Sequence, residues 1–376
     1  MIDYNNLLTK AIKYRRDLHK IPELGFDVFK TEKYIKNVLS HLNCKIEPLV
    51  KTGLTAFFDF NKADTIAFRA DMDGLPIKEV NTLSFVSQHE GCMHACGHDG
   101  HVANLLAFAK LLSEHKKIGT NFNHNILLIF QPAEETIVGA KAICGTEIFE
   151  KFNVKEIYGL HLWPMLGMGT IASRPGPMMA HSTQVNIDFF GKSAHCGEPE
   201  KGNDALDAAC RFVNALYKYR EEHIPERCII KFGKMSSGNV RNAISSYTRL
   251  EGTMRTFLPE TWDKLVNKMN SLATAVYDVL GVNVEVDISN SHPAVINDEI
   301  LFKKVKKALL ESDLDFVELK KPVAIAEDFS FFQEEIPGVF FFLGTGSGIP
   351  LHSNNYNFDE NVLLDGIKLF ESLSLK

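Results

Sequence analysis

One thiol and three imidazoles fall within nine residues at Met93-His-Ala-Cys-Gly-His-Asp-Gly-His101, the densest run of metal-binding side chains in the chain. Cys96 and His98 are separated by one residue, so a bent backbone can aim both side chains at one centre, and a thiolate at Cys96 has the electron pairs to bridge two ions. Soft and borderline ligands of this kind, with carboxylates nearby, suit zinc or a similar divalent ion. His94 and His101 read as supports for such a site. Downstream, a strand-like run ends in Gln131-Pro-Ala-Glu134-Glu135. Adjacent side chains diverge, so one carboxylate can ligate while the other takes a proton from water, and the residues alone leave open which does which. His161 lies in an apolar run and His352 in a polar loop. Each is ordinary singly and gains meaning from the set. Asp71 and Asp73 end a strand just before Gly74-Leu-Pro76, where an acid can hydrogen-bond a ligating imidazole and fix its ring angle. Arg69 falls one pleat behind Asp71 on the same face.

The elements that must hold these residues alternate. Asp3 to Leu42 reads as two helices broken at Ile21-Pro-Glu-Leu-Gly25, and a helix is expected from Ala103 to Leu112. Strands are expected at Thr55 to Phe60, Thr65 to Arg69, Asn125 to Phe130, Glu156 to Leu162 and, late in the chain, Val339 to Leu343. Alternation with helices implies an α/β domain with a largely parallel sheet, whose sites gather beyond the carboxyl ends of the strands. Asp71, Glu134, Glu135 and His161 all fall at such ends. After Pro177 the order becomes strand, helix, strand, strand, helix, strand, the pattern of a ferredoxin-like α+β sandwich. Residues 181–290 are therefore read as an inserted domain, with 1–180 and 291–376 forming the domain that carries the metal motif. In the insert, His195 in a turn, Asn242 after a loop and Arg255 in a strand are candidates to meet a substrate. Arg255 suits a carboxylate in particular.

Composition narrows the function classes. The net charge is −6, which disfavours a nucleic-acid or anionic-membrane partner. Seven cysteines without framework spacing argue against a disulfide scaffold. No run of 18 or more apolar residues occurs, and the first residues lack a basic segment followed by an apolar one, so a cytoplasmic protein is expected.

Three motifs occurring in order, Arg69-Ala-Asp-Met-Asp-Gly-Leu-Pro76, Met93 to His101 and Gln131 to Glu135, resemble the aminoacylase/carboxypeptidase family of metallopeptidases. The likeness is to its amidohydrolase branch, which contains hippurate hydrolase, N-acetyldiaminopimelate deacetylase and indole-acetyl-amino-acid hydrolases. Arg15-Arg-Asp-Leu-His19, Leu250 to Arg255, Glu327-Asp-Phe329 and Leu351-His352 extend the likeness over nearly the whole chain. The resemblance implies two divalent ions per subunit, zinc or manganese, cobalt or nickel. Cys96 would bridge them, with His98, Glu135, His161 and His352 as the other ligands. It implies Glu134 as general base, Asp71 as the acid supporting the site, and His195, Asn242 and Arg255 as substrate and oxyanion contacts on a lid that also forms a homodimer. The reaction implied is hydrolysis of an N-acyl amino acid, with a dipeptide or N-acetyldiaminopimelate as alternative substrates. A non-catalytic metal-binding dimer is the reading from a different class, and retention of Glu134 argues against it. Glu198-Pro-Glu200, Ala326 and Thr136-Ile-Val depart from the common pattern of the branch and bear on the substrate more than on the metal ligands.

Overall fold

The computed structural model describes residues 2–375. Two compact units emerge, one formed by Met1–Met178, Ile296–Lys321 and Asp328–Lys376, the other by Met179–Val295 with Pro322–Glu327. The first unit is built on an eight-stranded sheet. In chain order its strands are β1 (Lys45–Leu49), β2 (Gly53–Phe58), β3 (Thr65–Asp71), β4 (Asn125–Gln131), β5 (Val154–Trp163) and β6 (Ile171–Ser173). A two-stranded pair supplies β7 (Gly176–Met179). The second unit holds β8 (His181–Phe190), β9 (Ile229–Ser237), β10 (Tyr247–Thr256) and β11 (Asn283–His292). The chain then runs through β12 (Val295–Asn297), which pairs with β7, to β13 (Phe316–Glu318) and β14 (Gly338–Gly344).

The large sheet runs β1-β2-β4-β3-β5-β14-β6-β13. Its centre, β4, β3, β5 and β14, is parallel, whereas β1–β2, β2–β4 and β14–β6 are antiparallel. The fold is therefore the expected mixed α/β arrangement with a parallel centre. Strands β3, β4 and β14 are buried at every position, which is why they read as unbroken apolar runs and not as alternating ones. The antiparallel edge arises because β1 and β2 form a hairpin through Val50, which takes a positive φ of 46°, and no helix intervenes between β2 and β3.

Helices α1 (Tyr4–His19) and α2 (Phe29–Leu39) lead the chain, and α3 (His98–Ile118) runs through the core of the first unit. Leu105, Leu106, Phe108, Leu111 and Leu112 of α3 are all wholly buried. A helix apolar on every side belongs inside a domain. It is bounded by left-handed glycines at both ends, Gly97 (φ 89°) and Gly119 (φ 75°), the latter closing the last turn with its N–H on the His115 carbonyl. Short helices α4 (Gly139–Cys144) and α5 (Ile148–Lys151) follow β4.

In the second unit the strand order β11-β8-β10-β9 is antiparallel throughout, with α6 (Ala205–His223) and α7 (Pro259–Leu280) inserted as βαββαβ. Val185, Ile187 and Phe189 on one face of β8 pack with Ala208, Phe212 and Leu216 of α6 and with Leu265 and Met269 of α7. Ser182, Gln184 and Asn186 point to the opposite face by the two-residue period. This is the ferredoxin-like arrangement. The first unit is completed by α8 (Glu299–Leu310), α9 (Ser330–Glu335) and α10 (Leu363–Ser374). Among the described residues no helix is long and apolar enough to cross a membrane.

Candidate metal centre

Parallel β3, β4 and β5 deliver Asp71, the Gln131–Glu135 loop and His161 to the same end of the sheet, and α3 begins there at His98. The ligand atoms of Cys96, His98 and His161 lie within 4.8 Å of one another, as do those of Cys96, Glu135 and His352, and those of His98, Glu134 and Glu135. Cys96 is common to the first two sets. Its Sγ is 3.4 Å from His161 Nε2. His98 Nε2 stands 3.9 Å from carboxylate oxygens of both Glu134 and Glu135, and His352 Nε2 is 3.5 Å from Glu135 Oε1. Cys96, His98 and His161 are buried, whereas the His352 side chain is 52% exposed and forms the open edge.

The imidazoles of His98 and His161 are each aimed by the other ring nitrogen. His98 Nδ1 donates to the Asp73 carbonyl at 2.9 Å, and His161 Nδ1 donates to the Leu162 carbonyl at 2.7 Å. Both therefore turn Nε2 toward the cluster, the outer-shell arrangement that fixes tautomer and ring angle in metal sites. His352 is placed by its backbone, whose N–H donates to Ala95 O at 2.9 Å with φ at 62°. His101 differs. Its Nδ1 donates to Asp71 Oδ1 at 2.6 Å and its Nε2 accepts from the Leu162 N–H at 2.9 Å, so both nitrogens are committed and it is a support.

The short bond from Asp71 thus goes to His101, while its other oxygen takes Arg69 Nη1 at 2.7 Å and lies 3.8 Å from His98 Nε2. Arg69 is wholly buried, and its Nε and Nη2 donate to Gln131 Oε1 and Asp328 Oδ1, each at 2.7 Å. Asp328 further accepts from Gln131 Nε2 and the Ala140 N–H. Asp73 also acts through its carboxylate, which accepts the backbone N–H groups of Glu134 at 3.1 Å and Glu135 at 3.2 Å and so fixes the loop that carries the paired acids. That double use, and the Arg69–Gln131–Asp328 brace, are not apparent from the order of residues. The only signal is the two-residue spacing of Arg69 and Asp71.

Charge in this pocket is lopsided. Burial pushes the His98 imidazole down, yet the carboxylates of Asp71, Asp73 and Glu135 together outweigh it and hold it up to about 10. Burial works against the Asp71 carboxylate too, but His98, Arg69 and His101 hold it well below the ordinary range. Burial raises Asp73 and presses His161 well below its usual value, keeping the latter neutral as a ligating imidazole must be. A proton taken up at His98 under so much negative charge marks where cations belong. His98 Nε2 and Glu135 Oε1 are also buried without a hydrogen-bond partner. Buried polar atoms are rarely left so unless something else binds them. The donor set of sulfur, imidazole and carboxylate fits divalent metal.

His195, Asn242 and Arg255 belong to the second unit. His195 is exposed in a turn, bridged to Ala243, and the Cys196 N–H donates to the Asn242 carbonyl at 3.0 Å, so these two loops are neighbours. They adjoin the end of β10 at Tyr247, which pairs with Phe190. Arg255 sits eight residues further along β10, roughly 25 Å away at the rise of an extended strand. The structure therefore groups His195 with Asn242 and keeps Arg255 apart from them.

A parallel-centred α/β unit with a sulfur, imidazole and carboxylate cluster beyond its strand ends presents a candidate metal site, and comparison with known proteins gives the class of protein that carries it. Residues 67–376 match peptidase family M20/M25/M40. An uncharacterized hydrolase of Staphylococcus aureus is 33% identical over 376 residues, covering 98% of each chain, and one of Staphylococcus haemolyticus is 34% identical over 369 residues, covering 96% of each. Among solved structures, a putative aminohydrolase from methicillin-resistant S. aureus superposes with a TM-score of 0.91 at 30% identity, over 99% of this chain and 98% of that one. A dinuclear metal-binding M20 peptidase from Bacillus subtilis does so with a TM-score of 0.87, also at 30% identity and over 99% and 98%. The chain belongs to peptidase family M20/M25/M40. It is a metal-dependent hydrolase acting on amides.

Proposed function

We propose that this enzyme hydrolyses the amide bond of N-acyl amino acids with the help of two divalent ions, which Cys96, His98, Glu135, His161 and His352 would hold. The observation that carries the reading is the pair of overlapping donor sets that meet at Cys96, with Glu134 and Glu135 beside them. Zinc, manganese, cobalt or nickel suits these donors. Bound there, such ions act as Lewis acids that polarise a carbonyl and acidify water. Glu134 then accepts a proton from the attacking water and returns it to the departing amine. Its backbone is pinned by Asp73, and the positive φ values of Ala133 (61°) and Ile137 (68°) shape the loop on either side of the two acids. Arg255 pairs with the free carboxylate of the substrate.

His195 and Asn242 hold the developing oxyanion. Their separation from Arg255 far exceeds the length of an N-acyl amino acid, so one substrate meets both groups only if two copies of the chain contribute. This supports a homodimer in which His195 serves the neighbouring copy. Glu134→Gln tests the assignment: metal content, measured by elemental analysis, should stay at the wild-type level. Turnover of N-acetyl and N-benzoyl amino acids should fall by about 10²–10⁴, the usual yield of a general base. Near wild-type turnover in that variant refutes the role.

A further inference from the structure

The loops that carry His195 and Asn242 are joined backbone to backbone. Lys192 and Asn203 exchange both of their hydrogen bonds at 2.9 Å, the Ile244 N–H donates to the Ala194 carbonyl at 2.8 Å, and the Cys196 N–H donates to the Asn242 carbonyl at 3.0 Å. The base of the first loop is tied to the end of α7, where Asn203 Nδ2 donates to the Leu280 carbonyl at 2.8 Å. His195 thus has an anchored backbone in an exposed place. Its ring is governed by the turn that follows, which the Glu198 N–H closes on the His195 carbonyl at 2.8 Å. Within that turn the Gly197 N–H donates to His195 Nδ1 at 3.0 Å. A neutral imidazole has one donor and one acceptor nitrogen. Accepting at Nδ1 places the ring proton on Nε2, which takes no hydrogen bond from the protein among the described residues. Gly197 itself is not in the left-handed region, so its backbone conformation does not call for glycine. Apart from chain neighbours, a Cβ there would meet only the imidazole, at 3.1 Å from Nδ1 and 3.5 Å from Cε1. The ring therefore rests directly against the Gly197 backbone.

We infer that Gly197 is a positioning residue for the reaction: its backbone N–H holds the His195 ring in one orientation and in the Nε2–H tautomer, leaving that N–H free to donate. The inference rests on the proposed function for what His195 meets, the developing oxyanion. An oxyanion is stabilised by donors already aimed at it, and a bare Nε2 lone pair would repel the charge it faced. Anchoring the backbone of His195 does not decide this, because an exposed imidazole on a fixed backbone can still turn about its side-chain bonds and carry its proton on either nitrogen. The Gly197 N–H removes both freedoms with one bond. A single bond of this kind biases the ring by about three- to tenfold.

The test reads the tautomer directly in full-length, zinc-loaded enzyme carrying nitrogen-15-labelled histidine. Proton–nitrogen correlation spectra at about pH 8, above the ordinary histidine range, show which ring nitrogen holds the proton, and a His195→Gln sample identifies the signals. Wild type should show His195 as Nε2–H. A wild-type proton on Nδ1, or shared between the two nitrogens, overturns the inference outright. Gly197→Pro removes the donor and should lower the ratio of Nε2–H to Nδ1–H about three- to tenfold. It should also lower kcat on N-acetyl amino acids severalfold with KM within about twofold, because the contact is made in the transition state. Gly197→Ala keeps the N–H, and the exposed ring can yield the few tenths of an ångström that the methyl needs, so this variant should hold the wild-type tautomer and most of kcat. If Gly197→Pro keeps the wild-type ratio, or Gly197→Ala loses it as Gly197→Pro does, the role of the Gly197 N–H is overturned. If the tautomer shifts as expected while turnover does not, His195 is not the oxyanion's donor and that part of the proposed function fails instead.

Discussion

Raising the pH from about 6.5 to 9 should weaken the first unit through one side chain, His19. Its ring is 1% exposed, with Nδ1 at 2.8 Å from Asp99 Oδ2 and Nε2 at 3.2 Å from Glu79 Oε1. Burial acts to lower its pKa, but Asp99 and Glu79 outweigh burial and the nearby Arg15, and the imidazole is held up to about 9. An unfolded histidine titrates near 6.5, so folding binds the proton more tightly. The linked stabilisation is fully present below pH 6.5 and is lost as pH rises through 9. A difference of about 2.5 pKa units corresponds to about 3 kcal/mol. Urea unfolding of metal-loaded enzyme at intervals from pH 6 to 9.5 measures this, with His19→Gln as comparison. Wild type should lose most of that stability across the range, and the variant should start lower and show a flatter alkaline limb. Parallel limbs for the two proteins would refute the argument.

Two further perturbations address the metal centre. Asp73→Asn leaves an amide that can accept from only one of the Glu134 and Glu135 N–H groups and presents its own N–H to the other. It should lower metal affinity about 10–100-fold, as loss of outer-shell support does, in competition against a chromophoric chelator, and unaltered affinity sinks the positioning role. Chelation should lower Tm, because ions that bind only the folded chain contribute about 4 kcal/mol at a thousandfold excess over Kd. Re-addition of zinc should restore the transition, and a Tm indifferent to chelator counts against resident metal.

How far the sequence announced this arrangement depends on where partners sit along the chain. The motif from Met93 to His101 is legible because its donors are contiguous, and the buried central strands are legible because both their faces are apolar. The hairpin strand β1 is not, since Lys45-Ile-Glu-Pro-Leu49 is polar, contains Pro48 and is buried only at its end. Strands β6, β12 and β13 are three residues each, too short to show a period. His98 and His101 are one turn apart with ring centres 5.3 Å from each other, and spacing alone does not rank them. The backbone N–H of Leu162 decides the matter by occupying His101 Nε2. Likewise Asp328 reaches Arg69 across 259 residues, a contact that no local pattern encodes.

The backbone around the cluster holds its donors in position alongside the contacts they make with one another. Gly97 takes a φ of 89° between Cys96 and His98, and a Cβ there would lie 3.2 Å from Leu162 Cδ1 and 3.4 Å from the Tyr356 ring. At Gly100 a Cβ would fall 2.6 Å from the same Leu162 carbon and 2.8 Å from Phe358 Cζ, so α3 presses directly on β5 one residue after His161. Residues other than glycine adopt positive φ at Ala133, Ile137 and His352, flanking or carrying three of the candidate groups. Such conformations cost about 1–3 kcal/mol each and persist only where the surroundings over-determine them. Here the surroundings are the Asp73 carboxylate, the Ala95 carbonyl and the packed face of α3. The unsatisfied atoms His98 Nε2 and Glu135 Oε1 are therefore held facing inward by the fold, which is what a preorganised cation site requires.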